Sequence, residues 1–462
     1  MKKGGFLKIL AITVSAALFF IACKGQDSSV EKNYSIIWLS ADGSTEIPTT
    51  TLLFKINDDN LALTADDIKI NAAFSVIKGS LTKNTNTMTY ELHITPGRTG
   101  LIRVGLDPYR GFIGWNAKNA DVYADWRFSG NSELSITGKD KLSDSLEIPL
   151  TIAGIPVTSI GNDAFNNKQL YYITISDNIT TIGNNAFIYN KLATIAIPES
   201  VTKIGNTAFA YNEITYIAFS ENIESIGDNA FYHNQLRSVT IPNNITFIGN
   251  GTFAYNWLSD VIIPENVTTI GNGAFAYNQL SDITIPGKVN TIGNIAFAYN
   301  QLTNITISEG VERIGENAFS YNRLSDVTIP KSVTTIGNSA FANNNLNEII
   351  IPDAVEIIGA NTFFNNQLTK VTISKKAVSI GNSAFEYNNL SEITIPDSVK
   401  SIGVHSFFNN PLISITIGEN VTLGDSSFGG GFERAYNIDN NKAAGTYTRS
   451  DINSNTWTKK EE

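Results

Sequence analysis

Residues 270–291 read IGNGAFAYNQLSDITIPGKVNT, and Ile292-Gly293 begin the same pattern again. An Ile-Gly pair recurs every 22 residues from Ile160-Gly161 to Ile402-Gly403, which makes twelve copies without a shift in spacing. A thirteenth copy, Leu423-Gly424, comes one residue early. A fixed period of this length predicts a solenoid, because each unit buries its apolar face only against its neighbours.

One segment of the repeat has the alternation of a strand. In Leu280 to Pro286 (LSDITIP), Ile283 and Ile285 share one face and Thr284 lies on the other. The proline ends the strand because it cannot donate the next ladder hydrogen bond. The expected fold class is a β-rich solenoid, in which a parallel β ladder with about 4.8 Å per rung alternates with short helical turns.

The other template positions have predicted structural roles. Gly271 is expected where φ is positive or where two turns approach closely. Asn272 is expected to cap a short helical turn that contains Phe275, and this phenylalanine is expected in the core. Asn278 recurs just before each strand, which predicts an amide ladder that satisfies backbone groups of adjacent turns.

The pattern IGNxAFxYNxLxxIxIPxxV closely resembles the BspA-like leucine-rich repeats, over residues 134–430. Leu146 to Phe165 resembles the opening cap repeat of that family. Phe432 to Trp457 resembles the piece that often closes such proteins, where we expect a small β-hairpin. The family often has Cys where this chain has the recurrent Asn, so the ladder here is polar. The resemblance implies a cell-surface protein that attaches to host matrix proteins, other bacteria or host cells.

The first residues predict a membrane anchor. Met1 to Lys8 is basic, Ile9 to Ala22 is mostly apolar and too short to span a bilayer, and the only cysteine, Cys23, follows. This start resembles a bacterial lipoprotein signal, although Phe20 stands where Leu is usual, as in many spirochaete lipoproteins. A plain secretory signal is the alternative, but a lone cysteine forms no internal disulfide, which favours lipidation of Cys23. The expected location is the extracellular face of the outer membrane.

A region of short strands precedes the repeats. Thr87 to Ile94 alternates with a period of two, and further strand candidates lie before and after it at a spacing typical of an immunoglobulin-like sandwich. This region is also similar to modules of spirochaete surface lipoproteins. The predicted organisation is a signal peptide at 1–22, a lipidated tether at 23–33, an immunoglobulin-like β-sandwich at 34–127, an N-terminal cap at 128–156, leucine-rich repeats at 157–428 and a C-terminal β-hairpin tail at 429–462.

The sequence carries no recognisable catalytic or metal-ligating pattern. Its three histidines, His93, His233 and His405, lie in different modules or repeats, and no second cysteine exists, which excludes zinc and Cys/His sites. Gly429 to Phe432 (GGGF) lacks the Lys-Ser/Thr of a phosphate-binding loop. The formal charge of −10 argues against a nucleic-acid partner. We therefore expect no enzyme activity, no cofactor and no metal.

Two recurrent sets of side chains are candidates for binding a partner. Acidic residues recur two positions after the template leucine, at Asp260, Asp282, Asp326, Glu348 and Glu392. They form either a stripe that attracts a basic partner or solvated charge, and a calcium row is disfavoured because one carboxylate per rung lacks the six to eight oxygens that Ca²⁺ takes. Tyrosines recur at Tyr255, Tyr277, Tyr299 and Tyr321. They form either a platform for sugars or proteins or a half-buried ladder.

These observations predict a surface-anchored bacterial adhesin or interaction protein. It would bind host matrix proteins or other cell surfaces through its solenoid, by many weak contacts on a rigid ladder. The alternative is a structural cell-envelope scaffold without a dedicated ligand. The identity of the ligand and the oligomeric state stay open at this point.

Overall fold

The computed structural model describes residues 134–139, 144–152 and 155–461, together with the backbone of eight strands between residues 36 and 129. The predicted signal peptide, Cys23 and the tether at 23–33 lie outside the described residues. The chain divides into two compact units, which are described separately.

The N-terminal unit contains short strands. They are β1 Ile36–Ala41, β2 Thr51–Ile56, β3 Ile68–Ala72, β4 Val76–Asn84, β5 Thr89–Pro96, β6 Ile102–Leu106, β7 Gly111–Gly114 and β8 Trp126–Ser129. One sheet has the order β1-β2-β5-β4 and a second has the order β3-β6-β7. All pairings in these two sheets are antiparallel. The immunoglobulin-like assignment of 34–127 stays a prediction.

The second unit is a parallel β-solenoid whose 22-residue turns stack in register. Its main ladder consists of three- or four-residue strands: β10 Ser145–Glu147, β13 Tyr172–Thr174, β15 Thr194–Ala196, β17 Tyr216–Ala218, β19 Ser238–Thr240, β21 Asp260–Ile262, β23 Asp282–Ile285, β25 Asn304–Ile307, β28 Glu348–Ile350, β30 Lys370–Thr372, β32 Glu392–Thr394 and β34 Ser414–Ile417. Asp282 pairs with Asn304 and Ile285 with Ile307, a shift of one repeat. No strand forms at 326–329, although the same alternation of buried and exposed residues continues there.

Alternation along the main ladder places the apolar residues inside. In β23, Ile283 and Ile285 are buried, whereas Asp282 and Thr284 are exposed. β23 ends at Ile285, directly before Pro286, as expected from the missing N–H of proline. The Pro286 carbonyl instead accepts a hydrogen bond from Val289 N, which closes the turn that follows the strand.

A second ladder, which the sequence did not predict, runs through the Thr-Ile step of each repeat. Its strands, mostly two residues long, are β12 Ile155–Ile160, β14 Thr181–Ile182, β16 Lys203–Ile204, β18 Ser225–Ile226, β20 Phe247–Ile248, β22 Thr269–Ile270, β24 Thr291–Ile292, β26 Arg313–Ile314, β27 Thr335–Ile336, β29 Ile357–Ile358, β31 Ser379–Ile380, β33 Ser401–Ile402 and β35 Thr422–Leu423. Neighbouring strands of this minor ladder pair in parallel, as in β22 with β24.

The turn that contains Phe275 is not helical, so the expectation of short helical turns is wrong. Gly273 and Tyr277 have φ of 60° and 56°, in the left-handed region, which interrupts a right-handed helix. Their N–H groups and that of Phe275 donate to carbonyls of the next repeat at 2.7–3.0 Å, not to their own turn. The expected helix cap at Asn272 is wrong for the same reason: its Oδ1 accepts from Asn294 N, one repeat later, at 2.8 Å.

A continuous phenylalanine stack forms the centre of the core. Phe275 is fully buried, and its ring centroid lies 5.6 Å from that of Phe253 and 5.4 Å from that of Phe297. The stack extends from Phe165 to Phe428 with nearly parallel rings. Offset stacking of this kind adds about 0.5–1.5 kcal/mol per pair beyond area burial.

The recurrent glycine is required by the close approach of adjacent turns. A Cβ on Gly293 would lie 2.6 Å from the backbone nitrogen of Asn272 in the preceding repeat. Real side chains do not approach backbone atoms so closely, so the turns can stack only where Cβ is absent. Of the two explanations offered for this position, close approach is the one that applies.

Each end of the array has its own closing structure. At the start, β9 Leu134–Lys139 neighbours β12, and β11 Thr151–Ile152 pairs antiparallel with β12. At the other end, a short helix α1 (Phe432–Arg434) and a π-helical turn (Ala435–Asp439) precede β36 Gly445–Thr448 and β37 Thr458–Lys459. β36 pairs antiparallel with both β34 and β37, and so covers the free edge of the last main-ladder strand.

Candidate interaction surface

The buried asparagine of each repeat holds adjacent turns in register. Asn278 Nδ2 donates to the carbonyls of Phe253 at 2.9 Å and Phe275 at 3.1 Å, and its Oδ1 accepts from Leu258 N at 3.0 Å. Equivalent bonds occur at each recurrent position from Asn190 to Asn410. These contacts confirm the predicted amide ladder, which is structural and leaves no group for a ligand.

Outward side chains of the main ladder form two columns, which are exposed from 238 to 394 and half-buried at Ser414 and Thr416. The first outward column contains Ser238, Asp260, Asp282, Asn304, Asp326, Glu348, Lys370, Glu392 and Ser414. The predicted acidic residues all lie in this column, and each is exposed. The structure therefore brings the five carboxylates onto one surface, at successive or alternate rungs.

Two residues that the sequence interpretation passed over interrupt the acidic residues. Asn304 stands opposite Asp282 in the register of β23 with β25. Lys370 stands opposite Glu348, and its Nζ lies 3.6 Å from Glu348 Oε2 with both side chains more than half exposed. An exposed pair contributes little stability, but it partly neutralises the charge at that rung. From Asp260 to Glu348 the column contains no cation.

The second outward column lies two residues further along each strand. From 240 to 416 it is threonine at every rung except two, at Ile262 and Ile350. These isoleucines are 75% and 68% exposed. Ile350 also lines a recess of about 750 Å³ whose walls include Thr328, Pro330 and Pro352. Alignment of the repeats reveals both isoleucines directly, because the equivalent position is threonine at the other rungs in this range.

The four candidate tyrosines are held in an unusual backbone conformation. Tyr255, Tyr277, Tyr299 and Tyr321 have φ of 55° or 56°. This left-handed region is unfavourable for a bulky residue and is tolerated better by asparagine, which occupies the same position at Asn343. Glycine and asparagine recur at the neighbouring turn position, and both residues favour a left-handed backbone. This recurrence could have predicted the conformation of the turn from the sequence, but it was not used.

The tyrosine rings stack on one another along the solenoid. The ring centroids of Tyr277 lie 4.2 Å from Tyr255 and 4.4 Å from Tyr299, with interplanar angles of 13° and 6°. Tyr299 and Tyr321 continue the stack at 4.5 Å. Both faces of the Tyr277 and Tyr299 rings are therefore covered, and solvent meets only ring edges and hydroxyls. A sugar ring, which stacks on an aromatic face, finds no free face at these two rungs.

Burial within the stack changes the acidity of its central member. Tyr277 is 37% exposed. Desolvation first, and then hydrogen bonding with Tyr255, raise the pKa of Tyr277 from its usual value to about 12. The phenol is therefore neutral at physiological pH and serves as a hydrogen-bond donor or acceptor.

The described residues show no arrangement for metal-dependent chemistry. His233 stacks between Tyr211 and Tyr255, and His405 lies against Phe408. Within residues 134–139, 144–152 and 155–461, no group of three His, Cys, Asp or Glu side chains is placed to hold a metal ion. No helix in the described part of the chain is long and apolar enough to cross a membrane.

Comparison with known proteins identifies the repeats. The family model described as the BspA type leucine rich repeat region matches residues 144–259, 246–368 and 312–433, which together span more than half of the chain. No curated protein matches.

Three solved structures are similar to this chain. A leucine-rich repeat protein from Bacteroides ovatus ATCC 8483 is 24% identical with a TM-score of 0.52, covering 65% of this chain and 89% of the other. A leucine rich cell surface protein from Faecalibacterium prausnitzii A2-165 is 26% identical with a TM-score of 0.44, covering 65% and 93%. The pneumococcal vaccine antigen PcpA is 21% identical with a TM-score of 0.46, covering 66% and 84%. From its repeats and their matched model, the chain belongs to the BspA-type leucine-rich repeat family.

Proposed function

We propose that this chain is a surface-anchored interaction protein, an adhesin that binds host matrix proteins or other cell surfaces through its solenoid. The proposal is supported by the separation, within each repeat, between inward residues that form the core and outward residues that face solvent. The inward isoleucines, Phe275 and Asn278 complete the packing and hydrogen bonding, which leaves the two outward columns of the main ladder free to contact a partner.

Regular repetition suits this surface to extended partners. Successive rungs present equivalent side chains about 4.8 Å apart, so one partner meets many similar groups. Individual contacts of this kind are weak, and affinity grows with their number and with the density of protein on the membrane. Exposed carboxylates from Asp260 to Glu348 favour a partner with a basic surface.

The proposed anchor is a lipid on Cys23, which would place the solenoid on the extracellular face of the outer membrane. The tether at 23–33 and the proposed immunoglobulin-like module at 34–127 would then separate the solenoid from the bilayer. A structural envelope scaffold requires no exposure to other cells, and so differs from an adhesin in its accessibility.

Two measurements test this proposal. Protease added to intact cells should remove the solenoid at the same rate before and after permeabilisation, whereas protection until lysis supports the scaffold. The purified full-length protein should then bind at least one member of a panel of host matrix proteins or host cells. Shielding on intact cells together with failure across the panel would refute the adhesin.

A further inference from the structure

We propose that the main ladder binds an extended basic segment of its partner, which docks two apolar side chains on Ile262 and Ile350 and passes its cations over the carboxylates between them. This inference rests on the proposed binding function and specifies the chemistry of the partner. The segment runs along the solenoid axis, across the strands.

The two isoleucines bracket the acidic part of the surface. Ile262 lies on the strand that carries Asp260, and Ile350 lies on the strand that carries Glu348. Between these rungs the first outward column contributes Asp282, Asn304 and Asp326, with no cation. Lys370 follows one rung beyond Ile350, where it pairs with Glu348 and ends the acidic stretch.

Both isoleucines are placed to accept an apolar group. Each points away from the core with most of its side chain in solvent, in a column that is otherwise threonine from 240 to 416. Ile350 also opens into the recess of about 750 Å³ between Thr328, Pro330 and Pro352, which has room for a leucine-sized side chain. An apolar partner side chain removes this surface from water.

The spacing of the two isoleucines sets the register of the partner. Ile262 and Ile350 are four rungs apart, which is about 19 Å at about 4.8 Å per rung. An extended chain advances about 3.3 Å per residue, so six residues span this distance. Residues six apart in an extended chain point to the same side, which brings both apolar groups onto the ladder.

Charge complementarity selects a basic segment. Four exposed carboxylates, two on the isoleucine rungs and two between them, attract lysine or arginine and repel an acidic segment of the same shape. Lysine side chains are long enough to reach successive rungs although the residue spacing of an extended chain differs from the rung spacing. Specificity then comes from the apolar spacing, and the electrostatic part weakens with salt.

Synthetic peptides test this directly with the full-length protein. The probe is a fluorescein-labelled ten-residue peptide with two leucines six residues apart and lysines between them, measured by fluorescence anisotropy. Two comparison peptides place the leucines two residues apart or replace the lysines with glutamate. The six-residue spacing should bind about tenfold more tightly than the two-residue spacing, and the glutamate peptide should not bind measurably.

Substitution to the residue of the neighbouring rungs provides variants that keep the fold. Ile262→Thr and Ile350→Thr should each weaken binding of the lysine peptide about five- to tenfold. Ile357→Thr is the matched control, since Ile357 is a 65% exposed isoleucine on the minor ladder.

Equal binding by wild-type protein and the Ile262→Thr/Ile350→Thr variant overturns the inference, as does indifference to leucine spacing or absence of peptide binding. A partner from the matrix or cell panel that binds this double variant as tightly as wild type also overturns it, while the adhesin proposal stands. If no member of the panel binds and the protein is shielded from protease on intact cells, the adhesin proposal is refuted. The peptide measurements then decide on their own whether the main ladder binds a basic segment.

Discussion

The buried amide of Asn278 provides a quantitative test of the ladder that holds the repeats together. Asn278→Asp is nearly isosteric, but it replaces an NH₂ that donates to the Phe253 and Phe275 carbonyls by an oxygen. Its other oxygen still accepts from Leu258 N. An ionised carboxylate would therefore face two carbonyl oxygens in a buried site, and both this contact and burial raise its pKa well above the ordinary value of about 3.9.

The sign of the pH dependence follows from this raised pKa. The folded variant holds its proton at pH values where the unfolded chain has already released it, so unfolding releases a proton. Stability is fully retained below about pH 3.9 and is lost as pH rises towards the folded pKa. The free energy of unfolding of the variant, relative to wild type, should fall by up to about 1.4 kcal/mol per pH unit in this window.

The magnitude at neutral pH can be worked from the bonds lost. Asn278→Ala removes the bonds donated to the Phe253, Phe275 and Ala276 carbonyls and leaves the buried Leu258 N–H without its acceptor, for a cost of about 2–4 kcal/mol. Asn278→Asp should cost less than alanine near pH 4 and at least as much near pH 7. Gln279→Glu is the control, because it adds the same charge on the adjacent exposed side chain.

Urea unfolding between pH 4 and pH 7.5, followed by circular dichroism, measures these differences. Native-state hydrogen exchange at Leu258 N–H adds a local readout, which should accelerate in Asn278→Ala and stay slow in Asn278→Asp near pH 4. A pH-independent difference between Asn278→Asp and wild type would refute the reasoning, because it would mean that the carboxyl ionises freely in the folded chain.

Three further predictions concern backbone and ring geometry. Gly293→Ala places a Cβ 2.6 Å from Asn272 N and should lower the free energy of unfolding by roughly 2–4 kcal/mol in urea titrations, so an unchanged midpoint would show that the turns can separate. Ile295 is β-branched at a φ of 59°, and Ile295→Asn should therefore stabilise the protein by about 1 kcal/mol; a lower melting temperature would contradict this. Because burial raises the pKa of Tyr277 to about 12, its neutral form stabilises the fold below pH 10, and this contribution is lost between pH 10 and 12. Tyr277→Phe should remove one late-ionising phenol from the ultraviolet absorbance titration of the folded protein, and an unaltered titration above pH 11 would be inconsistent with the stack.

Much of the array was predictable because equivalent residues recur at a fixed spacing, so the role of each repeat position can be inferred from the residue types that occupy it. The buried Phe275, the strand before Pro286 and the amide ladder of Asn278 follow from residue type at fixed spacing. The turn was mispredicted because an asparagine before Ala-Phe resembles a helix start, whereas the backbone alternates handedness and bonds to the next repeat. These hydrogen bonds form between adjacent turns, so the sequence of one repeat considered alone does not predict them.

The interaction surface was only partly accessible to sequence reasoning. The acidic residues were identified because they recur at one repeat position. The two residues that separate them in the same column, Asn304 and Lys370, were overlooked because they do not fit that recurrence. The isoleucines at 262 and 350 look like core residues in the sequence, because Val-Ile-Ile and Glu-Ile-Ile contain adjacent apolar residues. Alignment of the repeats places both at the outward threonine position, and the register of the strands confirms that these members of the apolar runs point outward.

The outward face of the main ladder is where we expect the partner to bind. The most direct measurement compares wild-type protein with the Asp260→Asn/Asp282→Asn/Asp326→Asn variant for binding to the partner found on the panel, across a range of salt concentrations. A control variant, Glu224→Gln/Glu312→Gln/Glu356→Gln, removes the same number of charges from exposed positions that directly precede strands of the minor ladder. If this face binds the partner, the aspartate variant alone should bind more weakly and with a shallower salt dependence. Unchanged affinity and salt dependence in the aspartate variant, or an equal loss in the control, would contradict it.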